Sequence, residues 1–335
     1  MNPEKIETAF SVMEKAIITL QQSLGTSFFD AYIENAENLV DDAKVRVIDQ
    51  QPDAATVAKV EALYQELLAL DLTKEDWRKL TQLILLKGSK KEALQPNHQL
   101  TPDSIGFLFV FLIEQLTLSK EQSLEILDIS VGMGNLLLTA LINLQVANYS
   151  VKGIGVDNDE TLLAIAASDS LLMGENLQLF HQDSLQDLLV DPVDYVIGDL
   201  PVGYYPNDQH AEKFATHSEK EHSYAHHLLM EQAMNYVKPN GFGLFLVPSN
   251  FLETEQGPLL QKWMKDNVFL QGIIQLPDEL FQSEHSRKSI LLLQQKGETA
   301  KQAEKVLLVH LPSLKEPSQV TDFFKKFEDW KSSNL

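Results

Sequence analysis

The segment DISVGMGN, residues 128–135, places Gly132 and Gly134 just beyond Asp128, at the end of the apolar run Leu124–Leu127. Glycines where a strand ends let the backbone approach a ligand that a Cβ would push away. The loop lacks the Gly-Lys-Ser/Thr of a phosphate loop. The dinucleotide fingerprint G-x-G-x-x-G is met at its first two glycines, but its third position is Leu137. Two more strand-end motifs follow. In VKGIGVDND the strand ends on Asp157, whose carboxylate can accept hydrogen bonds from both ribose hydroxyls of an adenosine. FHQDSL carries Asp183, which can accept from an adenine amino group. Asn135, Asn158 and Ser184 are the polar neighbours in the same set of candidate cofactor contacts. Three such tips on one sheet edge point to an adenosine-containing ligand.

The fourth tip, in VDYVIGDLPVGYYP, separates cofactor classes. A dehydrogenase has no particular use for Asp199-Leu200-Pro201-Val202. A methyltransferase acting on a planar amino group does. Asp199 can accept a hydrogen bond from the nucleophilic nitrogen. Pro201 restricts Leu200 to an extended conformation, which frees the Leu200 carbonyl to accept a second. Drawing on both N–H groups enriches the nitrogen, and orientation towards the methyl donor supplies much of the rest. Asp199, Pro201 and Tyr204 are the candidate catalytic residues, and Asp199 is also a candidate cofactor contact.

Taken together, these stretches resemble the class I S-adenosylmethionine-dependent methyltransferases. They are most similar to the N6-adenine DNA methyltransferase branch, the modification subunits of type I restriction–modification systems and their stand-alone YtxK-type relatives. The likeness covers residues 96–295. HQLTPDSIG resembles the family's Tyr-Thr-Pro segment, which implies that Thr101 touches the methionine part of the cofactor. DISVGMGNLLL resembles the D-P-x-x-G-x-G-x-x-L loop, and GIGVDND the ribose-binding strand end. SYAHHLLMEQAM resembles the helix after the catalytic turn, and IIQLPDELFQSEHSRKSILLLQQK the closing strands. The resemblance implies S-adenosyl-L-methionine as cofactor and transfer to an amino nitrogen, with adenine in nucleic acid as the family's acceptor. The family's Asn-Pro-Pro-Tyr/Phe stands here as Asp199-Leu200-Pro201-Val202. Val202 takes the place of the ring that stacks on a flipped-out adenine. Tyr204 and Tyr205 are the nearest rings that could substitute. Two other readings stay open: a non-catalytic cofactor-binding adaptor, and a methyltransferase acting on protein or a small molecule.

Around these motifs the chain must supply a sheet. After residue 100, β-type runs at 124–128, 151–156, 177–181, 193–198, 242–247, 269–275, 289–294 and 305–310 alternate with helical stretches. Those stretches lie near 102–117, 135–146, 159–173, 222–237 and 256–266, with a closing helix over 315–333. The pattern predicts an α/β fold, and the resemblance a doubly wound, mostly parallel seven-stranded Rossmann-like sheet. Residues 1–95 read as a helical N-terminal domain. Ile6, Phe10, Met13, Ile17 and Leu20 recur at helical spacing, as do Val57, Val60, Leu63, Tyr64, Leu67 and Leu68. Thr73 with Asp76 signals a helix start. Gly88 and Pro96 break the pattern, which sets the methyltransferase domain at 96–335.

The totals narrow the partners. At 335 residues with 44% hydrophobic content the chain can bury a full core. It has no cysteine, so disulfides and thiolate metal sites are excluded. His222 and His226 have the i, i+4 spacing of zinc ligands, but Ser223 stands where a zincin has Glu, and no metal is expected. The start, MNPEKIETAFSVMEKA, has no apolar signal-peptide core, and no run is long enough to span a membrane, so a cytoplasmic location is expected. A net charge of −21 opposes unaided binding to nucleic acid. The local basic spots at Lys87, Lys90, Lys91, Arg287 and Lys288 are short. A nucleic-acid acceptor would therefore need a partner subunit, and the N-terminal helices are the expected surface for a partner or for self-association.

Overall fold

The computed structural model describes residues 2–92, 95–281 and 283–335. Ala93 and Leu94, in the linker that sequence sets between the two domains, lie outside the described residues.

The N-terminal region comprises α1 (Pro3–Leu24), α2 (Phe28–Val40), α3 (Ala54–Leu68) and α4 (Lys74–Lys91). Each start is capped by a side chain: Asn2, Ser27, Asp53 and Thr73 accept from backbone N–H groups of their first turns. Thr73 and Asp76 form a reciprocal capping box. Helix α4 runs through Gly88 rather than breaking there. The reason is packing: a Cβ at Gly88 would come within 2.6 Å of the Phe28 ring, so the glycine admits α2 against α4.

The remaining elements build the sheet. They are α5 (Asp103–Leu116), β1 (Leu124–Asp128), α6 (Asn135–Val146), β2 (Val151–Asp157), α7 (Glu160–Leu172), β3 (Gln178–His181), β4 (Val193–Asp199), α8 (Asp208–Ala211), α9 (Ala225–Asn235), β5 (Val237–Pro248), α10 (Gly257–Asn267), β6 (Val268–Gln275), β7 (Lys288–Gln295), β8 (Leu307–His310) and α11 (Pro317–Asn334). The order is β3-β2-β1-β4-β5-β7-β6-β8. Only β7 runs antiparallel to its neighbours among the described residues. The sheet has eight strands where seven were expected. The last run, β8, pairs parallel with β6 and extends the same sheet.

Period-two alternation assigns the strands' apolar residues to two cores. Leu124 and Ile126 of β1 face α5, α6 and α11, where Phe111 stacks on Phe324 with centroids 3.8 Å apart. Leu127 faces the other way, onto α9 and α10. A third core joins α1–α4 to Leu162 and Ile165 of α7 and to Met133 of the glycine loop. The N-terminal helices thus pack directly against the loop that sequence singles out. Between β4 and β5, Tyr204 pairs with Tyr224 in an antiparallel bridge, and Ala225 N–H donates to the Gly203 carbonyl at 2.9 Å. This extended pairing delays α9 to residue 225. Among the described residues no helix is long and apolar enough to cross a membrane.

Candidate functional site

The carboxyl ends of β1 and β4 open onto a cavity of about 480 Å³, within the range of small-ligand sites. It is lined by Thr101, Asp128, Gly132, Asn135, Asp199 and Pro201, all six anticipated from sequence. The switch in strand order falls here: β1 lies between β2 and β4, so α6 and the β4 turn diverge and leave a crevice.

Asp199 is the best-anchored group in it. Its Oδ2 accepts from Thr101 Oγ1 at 3.0 Å, and its backbone carbonyl accepts from Ser130 Oγ at 3.3 Å. Its Oδ1 accepts from the Lys288 ammonium. Thr101 is itself held, since its carbonyl accepts from Asn135 Nδ2 at 2.7 Å. The turn after Pro201 is fixed by Asn97, which exchanges two hydrogen bonds of 3.1 Å with the Val202 backbone. Gly132, at φ +51°, lines the cavity, and an added Cβ there would meet nothing within 4 Å. It therefore offers an open backbone cradle.

Other anticipated residues stand outside this cavity. Asp157 accepts from Gly132 N–H at 2.8 Å and from Asp159 N–H at 3.0 Å, so it holds the glycine loop from the next strand. Asp183 accepts from Tyr205 Oη at 2.6 Å and from Leu185 N–H at 3.0 Å. Ser184 Oγ donates to the Ile129 carbonyl at 2.6 Å, and the Asn158 carbonyl meets a His181 ring nitrogen at 3.1 Å. Gly134, at φ +80°, opens α6 and admits Ala166 of α7, whose Cβ would lie 3.0 Å from an added one. Tyr204 stacks on Tyr224 at 4.9 Å, exposed and away from the cavity wall, whereas Val202 does line it.

The histidine spacing does not survive as a helix face. His222 precedes α9, and its Nδ1 meets Asp208 Oδ2 at 2.8 Å, while His226 and His227 are buried without hydrogen-bond partners. No cluster of three metal-ligating side chains occurs among the described residues.

Sequence reading missed Lys288 as part of the site. It opens β7, 89 positions from Asp199, and only the antiparallel pairing of Pro248 with Lys288 brings it to the cleft. Nothing local marks that pairing. Asn97 was missed for the same reason, Ser130 lies inside the glycine loop without having been singled out, and Tyr205 was read as a substitute ring rather than as the partner of Asp183.

Burial dominates the electrostatics. It pushes the Asp128 carboxyl up to about 8, with the nearby Asp157 and Asp199 charges adding to it and the Ser130 N–H opposing. Burial likewise raises Asp169 to about 7, against hydrogen bonds from Tyr32 and Thr81. It lowers His226 to about 3 and His227 to about 4. These shifts set the pH dependence of stability. Folded Asp128 and Asp169 keep protons that the unfolded chain has lost near 3.8, so they make stability fall as pH rises up to about 8 and 7. The histidines stay neutral folded but gain protons unfolded below 6.5, so they make stability rise with pH up to that point. The two pairs offset each other below pH 6.5, and above it only the acids act. Stability is expected to drop by about 2–3 kcal/mol between pH 6.5 and 8, at ~1.4 kcal/mol per group and pH unit. A Tm series over that interval checks this, and a flat or rising Tm would contradict it.

Comparison with known proteins adds to this geometry. The family model described as N-6 DNA Methylase matches residues 84–329, and that of the YtxK N-terminal helical domain matches residues 7–89. The uncharacterized protein YtxK of Bacillus subtilis is 36% identical over 335 residues, covering 98% of each chain. A Listeria monocytogenes crystal structure, provisionally described as a class I S-adenosylmethionine-dependent methyltransferase, superposes with a TM-score of 0.89 at 38% identity, covering 98% of this chain and 99% of that one. A type I restriction–modification methyltransferase subunit from Streptococcus thermophilus superposes with a TM-score of 0.63 at 16% identity, covering 100% of this chain and 75% of that one. The last likeness is one of fold.

Proposed function

The chain belongs to the N-6 DNA methylase family, and on that premise we propose that it is an S-adenosylmethionine-dependent methyltransferase acting on an amino nitrogen. Adenine in nucleic acid is the acceptor the family favours. The observation that carries this reading is the position of Asp199: it lines the same cavity as the open Gly132 cradle and the buried Asp128.

The residues present fit the cofactor. Asp128 is a buried carboxyl with no ion-pair partner among the described residues, suited to the cofactor's ammonium. Gly132 leaves room for close backbone approach. Asp157 stands outside the cavity and holds Gly132 by one hydrogen bond, and it is the carboxylate that would accept from the ribose hydroxyls. The cofactor supplies a methyl group bound to a positively charged sulfur; when bound, it would give up that methyl group as the nitrogen–carbon bond formed, the carbon–sulfur electrons leaving on sulfur and the nitrogen's proton passing to solvent. Asp199 and the Leu200 carbonyl orient the acceptor's N–H groups, so that its lone pair points at the methyl carbon. Thr101 and Asn135 keep Asp199 aligned throughout.

Calorimetry tests the cofactor half. The parent is expected to bind S-adenosylmethionine and not NAD, and Asp157→Ala to weaken that binding about 10–150-fold, the effect of ~1.5–3 kcal/mol for a lost charged acceptor. Unchanged affinity in the variant, or tight NAD binding by the parent, contradicts the assignment.

The division at residues 95 and 96, into a helical unit and a methyltransferase unit, belongs to the same reading, as does a cytoplasmic setting. The acceptor's grip must come from elsewhere. Arg287 is paired with Asp278 at 2.9 Å, and Lys87 and Lys91 share Glu14 at 2.5 and 3.7 Å, so these basic spots are partly offset. The pure protein is expected to bind random duplex DNA more weakly than micromolar at physiological salt. Fluorescence anisotropy decides this, with micromolar binding as the contrary result. Val202 lines the cavity where the family has a stacking ring, and this favours one second reading, a cofactor-binding adaptor without transfer activity.

A further inference from the structure

Lys288 and Asp199 reach the cleft on different strands, β7 and the end of β4, with side chains 25% and 22% exposed. An ion pair this sheltered is screened less than a surface pair, and its charges matter more to whatever binds beside it. Both residues line the cavity that holds Gly132 and Asp128. A carboxylate offers about four acceptor positions. Lys288 occupies one on Oδ1 and Thr101 one on Oδ2, which leaves lone pairs on both oxygens for an acceptor's N–H groups. The pair therefore keeps Asp199 competent to accept while removing its net charge.

We propose that Lys288 is a positioning and charge-setting residue of the transfer site, which holds the Asp199 carboxylate in line and cancels its charge, so that the cleft selects a neutral planar amine over an alkylammonium. A free carboxylate at this place would draw cationic amines and would bind the cofactor's positive sulfur tightly in the ground state, without speeding transfer. The neutral pair avoids both. This inference rests on the cofactor reading above.

The test needs no knowledge of the acceptor. S-adenosylmethionine and S-adenosylhomocysteine differ by one methyl group and one positive charge, so the ratio of their affinities reports the charge of the cleft. Calorimetry with both ligands is run on the parent, Lys288→Met, Lys288→Arg, Asp199→Asn and the Asp199→Asn/Lys288→Met double variant. Lys288→Met is expected to raise the preference for S-adenosylmethionine about tenfold, and Asp199→Asn to lower it by a similar factor. Lys288→Arg, which keeps the charge, and the double variant, which removes both charges, should stay within about threefold of the parent. A purely structural role would weaken both ligands alike and leave the ratio unmoved; that result, or Lys288→Arg behaving like Lys288→Met, overturns the proposal. Should Lys288→Met not fold, Lys288→Gln takes its place, and the Asp199→Asn ratio remains decisive. If the parent binds neither ligand, the cofactor reading falls and this inference with it; if both bind and the ratios do not move, only the inference falls.

Discussion

Asp199→Ala is expected to slow methyl transfer on the order of a hundredfold or more, with S-adenosylmethionine still bound. The carboxylate is the cleft's principal acceptor for an amino nitrogen, and it is held at both oxygens, by Thr101 at 3.0 Å and by Lys288. Such preorganisation is what makes an oriented acceptor effective, because no rearrangement is needed as the nitrogen approaches. Alanine removes the acceptor and also strands the Lys288 ammonium beside the incoming amine, where it repels the charge that builds on nitrogen. Asp199→Asn keeps an acceptor oxygen but loses the counter-charge, so its rate should lie between those of the parent and Asp199→Ala. Single-turnover transfer of labelled methyl reads the chemical step apart from binding. Equal rates for the parent and Asp199→Ala would remove Asp199 from the mechanism.

The second large effect lies away from the chemistry. Arg78→Met is expected to destabilise the fold by about 3 kcal/mol or more. Arg78 of α4 is 2% exposed, and its guanidinium donates to Glu75 at 2.7 Å, to Asp103 at 2.8 Å and to Thr139 at 3.1 Å. Asp103, in the first turn of α5, also accepts from Lys79 at 2.8 Å and Gln82 at 2.6 Å. Burial would raise the Asp103 carboxyl, but hydrogen bonds from Arg78 and Lys79 outweigh it and bring the group down to about 2. Methionine leaves Asp103 and Glu75 short of partners in a half-buried place. The damage should also reach the cleft: Thr139 Oγ1 donates to the Asn135 carbonyl at 2.7 Å, Asn135 donates to Thr101, and Thr101 donates to Asp199. Urea denaturation of Arg78→Met, Asp103→Asn and the double variant should show a double effect well below the sum of the singles. A loss under about 1 kcal/mol in Arg78→Met, or simple additivity, would contradict this coupling.

The sequence discloses what is written in local pattern. The tips at Asp128, Asp157, Asp183 and Asp199 stand on consecutive strand ends, because apolar runs followed by glycine or aspartate leave little choice of structure. Six of the anticipated residues do meet in one cavity. What stays hidden depends on contacts distant in sequence. Gly88 reads as a helix breaker until the Phe28 ring is seen against it. Residues 222–224 read as helix until their pairing with the Tyr204 turn is seen. The run at 305–310 is legible as a strand, but its place as an eighth strand of the sheet rests on its pairing with β6. Lys288 reads as an exposed cation until strand register brings it to Asp199. Tyr205 similarly gives no sign of its bond to Asp183.

The most direct measurement is transfer of a tritiated methyl group from S-adenosylmethionine by the protein, added to a whole cell extract that supplies its partners, with DNA, RNA, protein and small-molecule fractions separated afterwards. Each labelled fraction is then hydrolysed and the modified residue identified. The account predicts label in nucleic acid, recovered as N6-methyladenine, and its loss in Asp199→Ala. Cofactor binding with no label in any fraction would contradict it, and would leave the adaptor in place of the enzyme.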